Sequence, residues 1–183
     1  MRVLGVDPGT RRTGAGVIEA QGNRYQLVHF EVISVKESLP IADRLHLIYE
    51  ALCRLVIQYK PSVLALENIF FGKDVRAMIK IGEARACAML AASGQAIDVV
   101  EYPPARVKQS VSGNGRATKD QIQHMVKTLL NLKTLPPPDG ADALAVAICH
   151  LHSKNRTSYG VPRVSTRPQR NTKYDVRYAK MSS

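Results

Sequence analysis

Three β-rich runs follow one another before any helical periodicity begins, and no later feature of the chain restricts its fold as strongly. Residues 2–7 (RVLGVD), 14–20 and 25–35 are apolar and largely β-branched, which predicts strands. Pro8-Gly9-Thr10 and Gln21-Gly22-Asn23 separate them, and these residue types favour tight turns. Strands joined so closely pair antiparallel, whereas a doubly wound parallel sheet would place a helix after its first strand.

Beyond residue 40 the pattern changes. Ile41, Leu45, Ile48, Leu52, Leu55 and Tyr59 recur at three- and four-residue steps, predicting a helix of about five turns with one apolar stripe. Pro61 ends it, and residues 62–67 (SVLALE) read as a buried strand. A second helix is expected over 74–93, with Gly82 inside it. Glycine there costs about 1 kcal/mol relative to alanine, so close packing of Gly82 against the sheet is expected. Residues 95–102 predict a fifth strand, stopped by Pro103-Pro104. Thr118-x-x-Gln121 is a capping box that opens a helix through Leu132, and three prolines at 136–138 precede a last helix over 139–152. The expected fold is therefore α/β, a mixed five-stranded sheet flanked by helices. An apolar content of 45% in 183 residues suits one core.

Two of the strands end on acids. Asp7 and Glu67 each close an apolar run, where packing gives no reason for a charge and where α/β sheets usually build their sites. Asp139 and Asp142 stand three apart at the start of the last helix, so they share a side, and the apolar ALAVAICH that follows packs that helix on the sheet. Taken singly, each has a bland explanation: a turn acid, a strand-end charge, an N-cap or a helix-dipole acid. Together, four convergent carboxylates repel one another and call for a cation. All-oxygen ligation selects Mg²⁺ or Mn²⁺.

Charge points to a polyanionic partner. Lys and Arg number 26 against 15 acids, a net +11. From Ser153 to Ser183 there are eight bases and one acid but no Leu, Ile, Phe or Trp, so this stretch cannot bury enough surface to order itself. The expected division is a folded domain over 1–152 and a basic, disordered tail over 153–183 that adds affinity for nucleic acid. No signal peptide or membrane span is evident, so no membrane partner and a cytoplasmic location are expected. Cys53, Cys87 and Cys149 are widely spaced and read as reduced hydrophobes. His150 and His152 do not share a helical face, which argues against a metal pair.

Four segments carry a resemblance. V-D-P-G-T at 6–10, L-E-N-I-F-F at 66–71, V-K-Q-S-V-S-G-N-G-R-A-T-K at 107–119 and D-G-A-D-A-L-A at 139–145 resemble the RuvC-type Holliday-junction resolvases of bacteria, in order, over residues 1 to about 152. The resemblance implies a ribonuclease H-like fold and Mg²⁺-dependent nicking of two opposed strands of four-way junction DNA by a homodimer, alongside the RuvA–RuvB branch-migration complex. It implies that Asp7, Glu67, Asp139 and Asp142 are the catalytic metal ligands. Two metal ions roughly 4 Å apart can serve phosphodiester hydrolysis. Asp7, central in the sheet, is then expected to bridge them, with Glu67 on one and Asp139 and Asp142 on the other. Lys108 and Lys119, which match basic positions of the family, flank the Gly113-Asn114-Gly115 turn and are expected to contact phosphates near the scissile bond, although as residues alone they could be solvated surface; Arg116 beside the turn is a further DNA-binding candidate. Phe70 and Phe71 are either core plugs or an apolar wedge that unstacks bases, and the resemblance implies the wedge for Phe70. Two positions depart from the family pattern: Asp74 replaces a usual Asn, and G-E-A-R-A at 82–86 replaces G-Q-A-R-G. The extra acids Asp74 and Glu83 are expected to weaken DNA contact or shift junction preference.

Other readings fit less well. An actin-like ATPase shares the D-P-G-T-x-x-x-G loop but duplicates its fold, and this chain shows no repeat. A noncatalytic DNA-binding module would leave four acids facing phosphate without purpose. A related nuclease acting on another branched or RNA-containing substrate is the nearest alternative.

Overall fold

The computed structural model describes residues 1–22, 24–68 and 74–157. The chain opens with three strands, β1 (Arg2–Asp7), β2 (Arg12–Gln21) and β3 (Arg24–Ser34), and continues through α1 (Ile41–Tyr59), β4 (Val63–Glu67), α2 (Val75–Gly94) and β5 (Asp98–Tyr102). Three helices follow: α3 (Pro104–Ser112), α4 (Lys119–Leu129) and α5 (Pro138–Thr157). The strands form one mixed sheet in the order β3-β2-β1-β4-β5. The β1–β2 and β2–β3 pairs are antiparallel, and β4 lies parallel to both β1 and β5. Short turns at the start and helical crossovers later thus give the expected mixed sheet, with β1 at its centre.

Strand alternation sorts the core into two layers. Leu4, Val6, Val17, Leu64 and Leu66 pack with Ile48, Leu52 and Leu55 of α1 and Ala88 and Ala91 of α2. Val3, Ile18, Val63 and Ala65 face the other way, against α3, α4 and α5. The amphipathic helix α1 buries Ile48, Leu52, Leu55 and Val56, and Lys60 stops it in the left-handed region while its N–H bonds the Val56 carbonyl.

Helix α5 lies against the middle of the sheet because glycine makes room for it. Gly5 of β1 pairs with Gly16 of β2, and Asp7 with Gly14. A methyl at Gly5 would overlap the Ala143 carbonyl, and one at Gly14 would overlap the Asp139 carbonyl. Close approach here is what carries the first turn of α5 to the end of β1.

Several boundaries differ from expectation, each for a local reason. Helix α3 is an addition, because Pro103-Pro104 reads in the sequence only as a stop. Pro104 in fact occupies its first turn, Val107 and Val111 are buried, and Gly113 caps it at φ +77°. Strand β5 begins at Asp98 rather than Gln95, since the chain leaves α2 through a turn with Ala96 at φ +55°. Helix α4 ends at Leu129, three residues before Leu132: Asn131 is left-handed and the Leu132 N–H bonds the Lys127 carbonyl, a Schellman closure. Helix α5 continues past His152 to Thr157, as no Pro or Gly intervenes before Gly160. Gly82 does not pack on the sheet; a methyl there would meet nothing within 4 Å. It lies on the outward side of α2 with exposed Val75, Ile79 and Leu90, because residues 75, 79, 82, 86 and 90 share one helical face.

Cys53, Cys87 and Cys149 are free thiols, the last two buried. Among the described residues no helix is long and apolar enough to cross a membrane.

Candidate active site

The same alternation that builds the core delivers the first two carboxylates. Asp7 follows Val3 and Gly5 on the α5 face of β1, and Glu67 follows Val63 and Ala65 on that face of β4. The two strands are parallel neighbours with Val6 opposite Leu66, so both acids emerge side by side at one sheet edge. Asp139 and Asp142, in the first turns of α5, are brought to them by the close approach at Gly14. Two lysines come from the flanks. Lys119 is the first residue of α4, fixed by the capping box in which Thr118 Oγ1 accepts from the Gln121 N–H. Lys108 projects from α3.

Electrostatics confirm that these groups feel one another. Burial, then the charges of Asp142 and Glu67, push the Asp7 carboxyl up to about 7, with Lys119 opposing and Asp139 adding to the rise. Glu67 is also raised, by burial and then by Asp142, while Lys119 and Lys108 pull it down. The Lys119 ammonium is held above its usual range, chiefly by Asp142. Its Nζ lies 3.3 Å from Asp142 Oδ2, and Arg12 Nε lies 2.6 Å from Asp139 Oδ2. Among the described residues no three acidic, imidazole or thiol groups stand as the ligands of one ion. The two carboxylates of α5 are instead turned to their cations. The donor set still suits a hard dication: it is all carboxylate oxygen, and Asp7 is raised first by burial and then by its acidic neighbours, a cost that a cation would relieve.

The structure thus brings together Asp7, Glu67, Asp139, Asp142, Lys108 and Lys119. Arg116 is exposed beside the turn, where its N–H bonds Asn114 Oδ1, and no interaction among the described residues ties it to the acids. That turn is braced by Gln109, whose Nε2 donates to the Gly113 carbonyl and whose Oε1 accepts from the Gly115 N–H. Phe70 and Phe71 lie outside the described residues. His150 and His152 are accounted for away from the acids: His150 Nδ1 lies 2.7 Å from Tyr102 Oη, and His152 Nδ1 lies 3.1 Å from Ser110 Oγ.

Two arginines at the site carry no clear mark in the sequence. Arg12 of β2 pairs with Asp139 of α5 on the same face of the sheet, and nothing in its local sequence signals that. Arg85, only 7% exposed, donates from Nη1 to the Glu67 carbonyl and pairs through Nη2 with Glu101 Oε1 at 2.6 Å. It ties α2 to the end of β4 where Glu67 sits. A lone arginine among alanines (E-A-R-A-C-A, 83–88) is the available clue, since a helix side so small leaves room to bury a paired guanidinium.

Comparison with known proteins gives this arrangement its context. The family profile described as "Crossover junction endodeoxyribonuclease RuvC" matches residues 3–150. The chain belongs to the RuvC family. A RuvC of that description from Desulforamulus reducens is 48% identical over 151 residues, spanning 82% of this chain and 93% of the relative. One from Syntrophotalea carbinolica is 49% identical over 152 residues, spanning 83% and 94%. Among solved structures, "T. thermophilus RuvC in complex with Holliday junction substrate" superposes with a TM-score of 0.81 at 31% identity, covering 86% of this chain and 97% of that one. The mixed five-stranded sheet with its helices is the ribonuclease H-like fold of RuvC, and RuvC nucleases depend on divalent metal. Of the two departures from the usual RuvC pattern, Asp74 has a local role: its Oδ1 accepts from the Ala77 N–H and caps α2, a role Asn fills equally well.

Proposed function

We propose that this protein is a crossover junction endodeoxyribonuclease, resolving four-way DNA junctions by paired symmetric nicks in homologous recombination and repair. The observation that carries the reading is the meeting of Asp7, Glu67, Asp139 and Asp142 at one sheet edge, where burial and then the charges of these neighbours push Asp7 up to about 7. The residues that would hold the metal ions are Asp7, central in the sheet, and Glu67, both from strand ends, with Asp139 and Asp142 from α5. When bound, two Mg²⁺ ions, or Mn²⁺ in their place, would supply the charge that activates water and stabilises the leaving oxygen. The chain's own groups do the rest. Lys108 and Lys119 hold the phosphates beside the scissile bond, Arg116 contacts the backbone farther out, and Phe70 wedges the bases at the junction centre.

Two opposed nicks require two sites, so the working unit is a homodimer. The exposed apolar side of α2, with Val75, Ile79 and Leu90 around the open Gly82, supports a second copy as its cover. The expected partner is a RuvA–RuvB branch-migration complex, and the expected location is the cytoplasm. The eight bases after His152 add sequence-independent affinity; deletion of residues 153–183 should flatten the log affinity against log salt slope by about 3 to 4 units if half of them engage.

The test is incubation of the purified protein with a mobile four-way junction, a linear duplex and an RNA–DNA hybrid, each with Mg²⁺ and with EDTA. Symmetric paired nicks confined to the junction and the Mg²⁺ arm are expected. Preferential cleavage of the hybrid would replace this reading with that of a related nuclease.

A further inference from the structure

Arg12 occupies a position that neither the core nor the turn explains. It opens β2, two residues before Gly14, and alternation therefore puts it on the α5 face with Gly14 and Gly16. The turn leading to it is stapled. Buried Thr13 donates from Oγ1 to the Gly9 carbonyl at 2.7 Å, and the Gly9 N–H returns a bond to Oγ1 at 3.3 Å. From this fixed base Arg12 reaches the first turn of α5 and places Nε 2.6 Å from Asp139 Oδ2. Its side chain remains 58% exposed against 30% for Asp139. The cation thus covers the carboxylate from the solvent side.

A carboxylate oxygen cannot serve a guanidinium and a divalent ion equally. Ligation of Mg²⁺ demands oxygen lone pairs at about 2.0–2.1 Å in near-octahedral array, and a positive group already on Oδ2 both blocks one of them and repels the dication. A dication bound at Asp139 would therefore weaken the guanidinium's hold on that carboxylate. Once released, it faces the solvent side from which phosphate must arrive, and its planar fork suits phosphate. Arg12 is then free for phosphate only in the metal-bound state, so phosphate binding favours that state.

We propose that Arg12 is an exchange cation of the site: it neutralises Asp139 in the metal-free protein, yields that carboxylate to the divalent ion, and then takes a backbone phosphate of the junction. This rests on Asp139 being a metal ligand. Metal and DNA then strengthen each other's binding through one side chain, and the coupling is reciprocal by linkage. Arg12 is a positioning residue in this account, acting through Asp139 and the phosphate rather than on the reacting atoms.

The test separates metal from DNA. In calorimetric titration of Mg²⁺ into the full chain without DNA, Arg12→Gln should bind about two- to fivefold tighter than the parent, the range of an exposed ion pair. Arg12→Lys, which keeps the charge but loses the Nε contact, should fall between them. Junction binding is then followed by anisotropy against salt, in EDTA and in Ca²⁺, with intact junction verified on a denaturing gel. Parent and Arg12→Gln should share one salt slope in EDTA, whereas in Ca²⁺ the parent slope should be steeper by about 0.9, one phosphate contact. Unchanged or weaker Mg²⁺ binding by Arg12→Gln, or slopes that match in both buffers, would overturn the exchange. Asp139→Asn distinguishes the two levels of failure. If it weakens Mg²⁺ binding while Arg12→Gln changes nothing, the ligand assignment stands and the exchange does not; if it leaves Mg²⁺ binding unchanged, Asp139 is not a ligand and both fall.

Discussion

The two faces of the sheet are made by the same strands and end differently. Toward α1 and α2, β1 and β4 present Leu4, Val6, Leu64 and Leu66, hydrocarbon up to the strand ends. Toward α5 the same strands present Val3, Gly5 and Asp7, and Val63, Ala65 and Glu67. The first face gains stability from apolar burial of about 25 cal/mol per Å². The second uses small residues to bring a helix close and then surrenders its last positions to charge, leaving two carboxylates raised by burial and repulsion. One residue of alternation separates a packing surface from a reactive one, so substitutions matched across the sheet should have opposite consequences.

The largest effect is expected at Asp7. A metal ion contributes several kcal/mol of transition-state stabilisation, so Asp7→Asn should cut junction cleavage about a thousandfold or more. Junction binding in EDTA should persist or strengthen, because one negative charge has left the phosphate face. Gel assays of cleavage and anisotropy of binding check both halves; comparable cutting by variant and parent would remove Asp7 from the chemistry.

How much of this contrast is legible in the sequence depends on the range of the signal. Period-two alternation and the acids closing 2–7 and 62–67 are local, and they mark the strands, the mixed sheet and the edge where Asp7 and Glu67 emerge. The capping box at Thr118 marks the start of α4. What escapes are long-range pairings and dual-purpose residues. Pro104 both ends β5 and starts α3, and only the first role shows in the sequence pattern. Arg12 and Arg85 meet partners 127 and 16 residues away along the chain, Asp139 and Glu101, which no periodicity encodes. Gly82 lies on the opposite side of α2 from that expected, because a helical glycine implies close contact but not direction.

Gly14→Ala tests whether the reactive face depends on close approach. The added methyl would overlap the Asp139 carbonyl, so α5 must shift. Overpacking should cost about 1–3 kcal/mol in urea denaturation, and displacement of Asp139 and Asp142 by about 1 Å should lower turnover on the order of a hundredfold at saturating DNA. Loss of stability without loss of turnover would mean that the carboxylates are not positioned by this contact.

A subtler asymmetry is expected in pH dependence. On α5, His150 is pushed down from 6.5 to about 4, first by burial and then by the charge of Lys154. In the unfolded chain it regains its ordinary value, so between about pH 6.5 and 4 the unfolded state binds more protons. His150 therefore contributes stability that is fully present above pH 6.5 and lost as pH falls through 4. The raised Asp7 has the opposite sign, its contribution fading as pH rises toward 7, so the two partly cancel in the parent. The difference between parent and His150→Gln isolates the histidine. Relative to that variant, the parent should lose about 3 kcal/mol between pH 7 and pH 4, measured by urea titration at each pH. A flat difference would mean that His150 binds its proton as readily in the fold as in the unfolded chain, and that burial does not lower it.

The smallest effect is expected from repeating the Asp→Asn change at α2. Asp74 stands just before the first turn of that helix, and its carboxylate serves the backbone, with Oδ1 accepting from the Ala77 N–H 3.1 Å away. An amide oxygen accepts the same bond, and Asn and Asp rank together as N-caps. Asp74→Asn should therefore change stability by less than about 0.5 kcal/mol, whereas Asp74→Ala, which removes the acceptor, should cost about 1 kcal/mol. Cleavage by Asp74→Asn should stay within about twofold of the parent, since no interaction among the described residues links Asp74 to the four carboxylates and a surface charge change of this kind is worth little. The same substitution would then be silent at the α2 cap and decisive at Asp7, so the contrast lies in what each carboxylate holds and not in carboxylates as such. If Asp74→Asn instead strengthens junction binding severalfold and flattens its salt dependence, the cap lies on the DNA path, and the division of labour between the two faces fails at the start of α2.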